Sequence, residues 1–333
     1  MKILYVMPGF DEGGAEIHVL NLIREMSSQH EITLISHGGR LEAELPQSVR
    51  VIHMPSHLKT PATIIYCAVK IALLNREYHW DIIHAHSRVP AWVSWIAARL
   101  SGVKWVVTAH ALYSLNFGIV PLKHSDGAVA ISQAVYHHLS EYLPDNAIII
   151  PNGIIPPKIY HRDFQHNEMK FLIAGRLTRL KGVDVALNAL AKLQGYEWTL
   201  DVVGEGPERE NLAALSAELG ISERVKFHGD KGKIDVEKFM ASSSYLLFPS
   251  KSEGQGLVVL EALSAGLPVI ASDLEALRDF ADGDLIAPGD VSEWRKAIEA
   301  FILTGKSSAL NAGNIMTVSE MSAKTEKYYM EVL

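Results

Sequence analysis

Apolar residues along this chain gather in short runs rich in Val and Ile, separated by longer stretches with helical periodicity. The runs "KILYVMP", "EITLIS", "RVIHMP", "DIIHAHS", "KWVVTAH", "GAVAIS" and "AIIIPNG" fall within the first 153 residues. A second set, "KFLIAGR", "WTLDVVGEG", "VKFHGD", "SYLLFPS", "PVIAS" and "GDLIAP", follows residue 168. Such alternation predicts parallel strands joined by crossover helices, an α/β architecture. Between the sets, "PNGIIPPKIYHRDFQHNE" has the prolines and polar residues of a linker. The expected organisation is a first Rossmann-like domain over 1–153, a linker over 154–168 and a second Rossmann-like domain over 169–316. A final helix over 317–333 is expected to pack back toward the first domain. Two doubly wound sheets facing each other create a cleft between their carboxyl edges, where ligands of such folds bind.

Composition narrows the class. At 333 residues, 48% hydrophobic and 21% charged, the chain suits two soluble globular domains. The formal net charge of -7 argues against a protein that coats nucleic acid. A single cysteine, Cys67, can form no internal disulfide, which favours the cytoplasm and a packing role. The opening "MKILYVMPGFDEGG" reads as a first strand, since its apolar run is too short for a signal segment. The most apolar stretch, Pro61 to Leu74, is interrupted by Lys70, so no membrane span is expected. Twelve of the fifteen histidines lie in the first half without HExxH spacing. His84 and His86 in "HAH" share a strand face and offer a metal pair, but the spacing shows no third ligand. Buried, hydrogen-bonded histidine is the alternative, and no metal is expected.

Four loops carry candidate chemistry. "PGFDEGGAEIHVLNLIREM" places Gly13 and Gly14 at the start of an amphipathic helix, where backbone amides and the helix dipole suit a diphosphate or an acidic acceptor. A tight turn without ligand is the alternative. Gly13 and Glu16 are the acceptor-side candidates. "AGRLTRLKG" offers Arg176, Arg179 and Lys181 after a strand, cations suited to phosphate or else a solvated basic turn. "DGD" at Asp282 to Asp284 matches a short acidic metal motif that also arises by chance. In "SEGQGLVVLEALSAGLPVIAS", Glu253 sits in a loop and Glu261 lies two turns inside the following helix. Both are acceptors for hydroxyl groups. The amides of Gly254, Gln255, Gly256 and Leu257 suit phosphate or sugar. Because one local element carries both carboxylates, they are expected to grip one ligand along its length; a glycosidase pair must straddle a bond.

In this order, "GGAEIHVLNL", "DIIHAHS", "VVTAH", "AISQAV", "PNGI", "AGRLTRLKGVDVALNAL", "VVGEGPERENL", "VKFHGD" and "SEGQGLVVLEALSAGLPVIAS" resemble the retaining glycosyltransferase family 4, over essentially the whole chain. The resemblance implies the GT-B fold and a nucleotide-sugar donor, with a UDP-sugar favoured over a GDP-sugar. No further cofactor and no metal are implied. By position, Glu261 would bind the ribose hydroxyls, while Glu253 and the amides of Gly254 to Leu257 hold the sugar. Arg176 and Lys181 would neutralise the diphosphate, Gly14 would approach the same phosphates, and His110 would sit beside the anomeric carbon. Two departures stand out. Gln255 occupies a position where family members commonly carry an aromatic residue, and "LEALRD" replaces a frequent double glycine. The expected activity is hexosyl transfer to a glycan or lipid-linked acceptor in cell-surface polysaccharide or glycolipid synthesis. A nucleotide-sugar epimerase of the same fold, or a non-catalytic nucleotide-sugar-binding protein, is the alternative.

One segment bears on location. "HLKTPATIIYCAVKIALLNREYHW" combines Ile64, Ile65, Val69, Leu73 and Leu74 with Lys59, Lys70 and Arg76, which suits a helix lying on an anionic membrane surface. The alternative is a helix that covers its own sheet. A cytoplasmic protein, peripheral on the inner membrane face if the helix binds lipid, is expected.

Overall fold

In a computed structural model, the described residues are 1–11, 13–157, 169–281, 283, 285–304, 310, 312–313 and 315–333. They form two compact units, Met1–Gly153 with Met316–Leu333, and Ile154–Ile315. The expected linker lies mostly outside the described residues, as do Asp282 and Asp284 of "DGD".

The first unit runs β1 (Lys2–Val6), α1 (Gly14–Met26), β2 (Glu31–Ser36), β3 (Arg50–His53), α2 (Pro61–Tyr78), β4 (Ile82–His86), α3 (Arg88–Ser101), β5 (Lys104–Ala109), β6 (Gly127–Ala130), α4 (Gln133–Leu139) and β7 (Ile148–Ile149). Its seven strands are parallel in the order β3-β2-β1-β4-β5-β6-β7. Alternate residues of β1 enter opposite cores: Leu4 and Val6 on one face, Ile3 and Tyr5 on the other. Burial on both faces explains why the strands read as unbroken apolar runs. The run "AIIIPNG" shrinks to Ile148–Ile149, the short edge strand of this sheet. Cys67 is a free, buried thiol in the core.

The second unit runs β8 (Met169–Ala174), α5 (Val183–Leu190), β9 (Trp198–Val203), α6 (Arg209–Glu218), β10 (Val225–Gly229), α7 (Lys233–Ser242), β11 (Tyr245–Phe248), α8 (Leu257–Ser264), β12 (Val269–Ala271), α9 (Glu275–Arg278) and α10 (Val291–Thr304). Five parallel strands take the order β10-β9-β8-β11-β12. "GDLIAP", expected as a strand, contributes a single bridge, Ile286 to Ser272, among the described residues.

After the second unit the chain returns to the first as α11 (Val318–Val332). Thr317 caps it reciprocally with Glu320, an arrangement that satisfies two otherwise unpaired amides. Tyr328 and Tyr329 are buried. The Tyr328 hydroxyl accepts from the amide of Ala128 at 2.9 Å and donates to the carbonyl of Asn146 at 2.8 Å. Gly153 makes this docking possible, because a Cβ there would lie 2.5 Å from the Cα of Val318 and 2.6 Å from the carbonyl oxygen of Thr317.

Gly153→Ala is therefore expected to destabilise the protein by about 1–3 kcal/mol through overpacking against helix backbone. Gly195→Ala, where a Cβ meets nothing within 4 Å, is expected to stay within about 0.5 kcal/mol of the parent. Urea unfolding of the two variants checks the contrast.

Candidate functional site

In the second unit the strand order turns between β8 and β11, so the loops leaving these strands emerge side by side. The loop after β8 carries Arg176, then a 3-10 turn over Arg179–Lys181, and closes on Gly182. Gly182 adopts a φ of +63°, and a Cβ there would lie 2.0 Å from the carbonyl oxygen of Pro249. Only glycine lets this turn lie against the segment leaving β11. The consequence is an ion pair between the Lys181 ammonium and the Glu253 carboxylate. The Ser250 hydroxyl donates to the same carboxylate at 3.2 Å, and the Lys181 ammonium lies 5.6 Å from the ring centre of Phe248. Arg176 is exposed and has no hydrogen bond or ion pair among the described residues.

Downstream of Glu253, Gln255 is buried and Gly256, at a φ of +78°, caps α8. The first amides of that helix have no partner within it. Glu261 lies in its second turn, half-buried, with no hydrogen bond among the described residues. Burial raises its pKa above the ordinary carboxylate value, Lys233 opposes that rise, and Glu237 adds to it. Nothing in the local sequence ties Lys233 and Glu237 to Glu261. Both belong to α7, and no spacing rule ties α7 to α8.

In the first unit, Gly13 caps α1 in extended conformation and Gly14 begins the helix, exposed. Glu16 folds back over Gly13 and bonds its own backbone amide. Burial, with Asp11 nearby, raises the Glu16 pKa. His110 follows β5, and its amide donates to the Tyr113 hydroxyl at 3.2 Å. Its Nε2 lies 2.8 Å from Nδ1 of His86, at the end of neighbouring β4. His18, on α1, brings its ring centre to 4.9 Å from that of His110. The "HAH" pair thus divides. His84 is consumed by the core, its nitrogens facing the Tyr329 hydroxyl at 2.5 Å and the Thr108 hydroxyl at 2.8 Å, while His86 joins His18 and His110. His18 is the partner that strand spacing could not reveal, since it stands on a helix before the next strand.

Burial, reinforced by the other imidazoles, holds His84, His86 and His110 well below the usual histidine range. It brings His18 down to about 4, against a smaller opposing effect from Asn152. The rings are therefore neutral at pH 7, each able to accept at one nitrogen and donate at the other.

The comparisons with known proteins agree on one class. The family profile described as Glycosyltransferase Family 4 matches residues 12–156, and that described as Glycosyl transferases group 1 matches residues 159–313. The chain belongs to glycosyltransferase family 4. Its two parallel α/β sheets are those of the GT-B fold. Among similar structures, Anabaena HepE in complex with UDP and glucose superimposes with a TM-score of 0.84 at 21% identity, over 99% of each chain. The apo form of WaaB, a lipopolysaccharide outer core galactosyltransferase, gives 0.74 at 20% identity, over 100% of this chain and 98% of the other. A D-inositol 3-phosphate glycosyltransferase from Mycobacterium marinum is 27% identical over 75% of this chain. The matched region spans only 62% of that relative.

The neutral histidines of this family member make its stability depend on pH. Below the ordinary value of 6.5 and down to about 4 for His18, the unfolded chain binds protons that the folded chain refuses. Stability accordingly falls as pH falls through this window, by up to about 1.4 kcal/mol per pH unit for each ring. Urea unfolding between about pH 7 and pH 5 is expected to show this slope, made shallower in His18→Gln by up to the same amount per unit.

Proposed function

We propose that this glycosyltransferase moves a hexosyl group from a nucleoside diphosphate sugar, with retention of anomeric configuration and without a bound metal. The observation that carries this reading is the cluster at the carboxyl edge of β8 and β11. There an ammonium is paired with one carboxylate, an arginine has no hydrogen bond or ion pair among the described residues, and a second, half-buried carboxylate awaits hydroxyl donors. In this reading Arg176 and Lys181 hold the diphosphate. Glu253 and the amides from Gly254 through Leu257 hold the sugar, and Glu261 accepts from the ribose hydroxyls. Gly14 and His110, with Gly13 and Glu16, are the first unit's candidates for work at the phosphates, the sugar and the acceptor.

Charge on the leaving diphosphate grows as the glycosidic bond breaks, and fixed cations stabilise that state more than the ground state. Two cations and helix amides can perform this without a metal ion. A leaving phosphate oxygen on the same face of the sugar takes the acceptor proton, which accounts for retention. A neutral His110 supports this arrangement, since it offers a hydrogen bond and adds no positive charge. Uridine is the favoured base, in line with the UDP held by HepE. A UDP-sugar is expected to raise the melting temperature more than a GDP-sugar, since ligands that bind only the folded state stabilise it. Glu261→Ala is expected to weaken nucleotide binding by about 1.5–3 kcal/mol, with transfer by the parent undiminished in EDTA. Unchanged donor affinity in a folded Glu261→Ala protein overturns the ribose role, and a metal-reversible loss in EDTA overturns metal independence.

For the acceptor we favour a lipid-linked glycan reached at the cytoplasmic face of a membrane. No helix among the described residues is long and apolar enough to cross one. On α2, Ile64 and Leu74 pack against the core, whereas Ile65, Tyr66, Val69 and Leu73 are exposed. Lys59 precedes this helix, and Lys70 and Arg76 lie on it. An exposed apolar strip beside cations suits an anionic bilayer surface. The protein is expected to float with anionic liposomes at low salt, and Ile65→Ser with Leu73→Ser to abolish flotation. Absence of flotation by the parent at any salt favours a soluble acceptor.

A further inference from the structure

We propose that His18, His86 and His110 form a binding site for a divalent transition-metal ion of the zinc class. One ligand nitrogen from each ring lies within 4.8 Å of the other two. The three rings come from α1, from the end of β4 and from the residue after β5, so rigid elements fix them. His18 is prepared for this role. Its Nδ1 faces the carboxamide oxygen of Asn152 at 2.6 Å, which accepts only. Nδ1 therefore carries the hydrogen, and Nε2 presents a lone pair. That Nε2 is buried and has no hydrogen-bond partner among the described residues. A histidine ligand whose far nitrogen donates to an oxygen is the usual support of a metal site.

His86 and His110 face each other nitrogen to nitrogen at 2.8 Å, sharing one hydrogen, and each has its other ring nitrogen buried without a partner among the described residues. An ion can replace the shared hydrogen if that hydrogen moves to the far nitrogen of its own ring. Both rings stay neutral and no proton is lost. Zn–N bonds of about 2.0–2.1 Å in a tetrahedron need nitrogens roughly 3.3 Å apart. The rings must therefore shift by no more than about 1.5 Å. Three neutral imidazoles select zinc, cobalt, nickel or copper over magnesium and calcium, and leave a fourth position for water or an anion. His84, two residues from His86, is not part of the set because both its nitrogens are engaged.

Occupancy would tie up the facing nitrogens of His86 and His110 and so inhibit transfer. This consequence rests on the role given above to His110, whereas binding itself does not. The test is a Co2+ titration of the metal-stripped full chain, followed by visible absorption and calorimetry. The parent is expected to take up one equivalent with a ligand-field band that Zn2+ bleaches and Mg2+ does not. His18→Ala is expected to lose the band. Asn152→Ala, which keeps all three rings, is expected to bind Co2+ about ten- to a hundred-fold more weakly. No band in the parent, or an unchanged one in a natively folded His18→Ala protein, overturns the site. If His18→Ala does not fold, unchanged Co2+ affinity in Asn152→Ala overturns it. If neither variant folds, failure of Zn2+ to raise the parent's melting temperature does so. A Co2+ band without inhibition of transfer would leave the site standing and remove His110 from the reaction.

Discussion

A parallel strand cannot turn directly into its neighbour, because the chain must first travel back across the sheet. Every strand of a parallel sheet therefore ends on the same edge, and each βα turn is presented there. Both units obey this constraint, and the rest of the chemistry follows from it. Where the strand order reverses, two such turns diverge and leave room for side chains between them. β8 and β11 bring Lys181 to Glu253 in this way. β1, β4 and β5 lie consecutively in the other sheet, so α1 and the ends of β4 and β5 collect His18, His86 and His110.

The two edges treat polar groups in opposite ways. In the second unit the charges persist: the side chains of Lys181 and Glu253 are 28% and 14% exposed, still in reach of water and able to exchange partners. Deep burial of such a pair would cost more desolvation than its attraction returns. In the first unit His18, His84 and His86 are buried and His110 half-buried, and in all four protonation is suppressed. They survive there as neutral hydrogen-bonding groups, with Tyr329, Thr108 and Asn152 as partners. Glu261 stands between these extremes, half-buried and with its charge disfavoured, so a ligand offering hydroxyls would relieve an existing cost.

Much of the fold was legible in the sequence because strands buried on both faces leave unbroken apolar runs, and each such run in the sheet interiors is a strand. Legibility failed at the margins. "AIIIPNG" and "GDLIAP" are as apolar as true strands, yet they have too few neighbours to form long ladders. At the site, residues local in sequence were visible: Glu253, Glu261 and Lys181 stand in short glycine-punctuated stretches. Neighbours supplied by distant elements were not. His18 meets His86 and His110 only through the order of the strands, and Lys233 influences Glu261 only because α7 lies near α8.

The return of α11 to the first unit has a consequence for how the protein is made. Tyr328 and Tyr329 fill the same core as Ile3 and Tyr5, and the Tyr329 hydroxyl donates to that of Tyr5 at 3.2 Å. On a ribosome, which releases the chain from its N-terminal end, the first unit begins before the second and finishes after it. Until residue 329 emerges, the site of Tyr329 beside His84 is vacant, and a buried imidazole lacks one partner. The second unit, uninterrupted in sequence, has no such wait. The nascent protein is thus an unfinished first unit tethered to a completed second one, and His84 is among the last residues of the molecule to acquire its final surroundings.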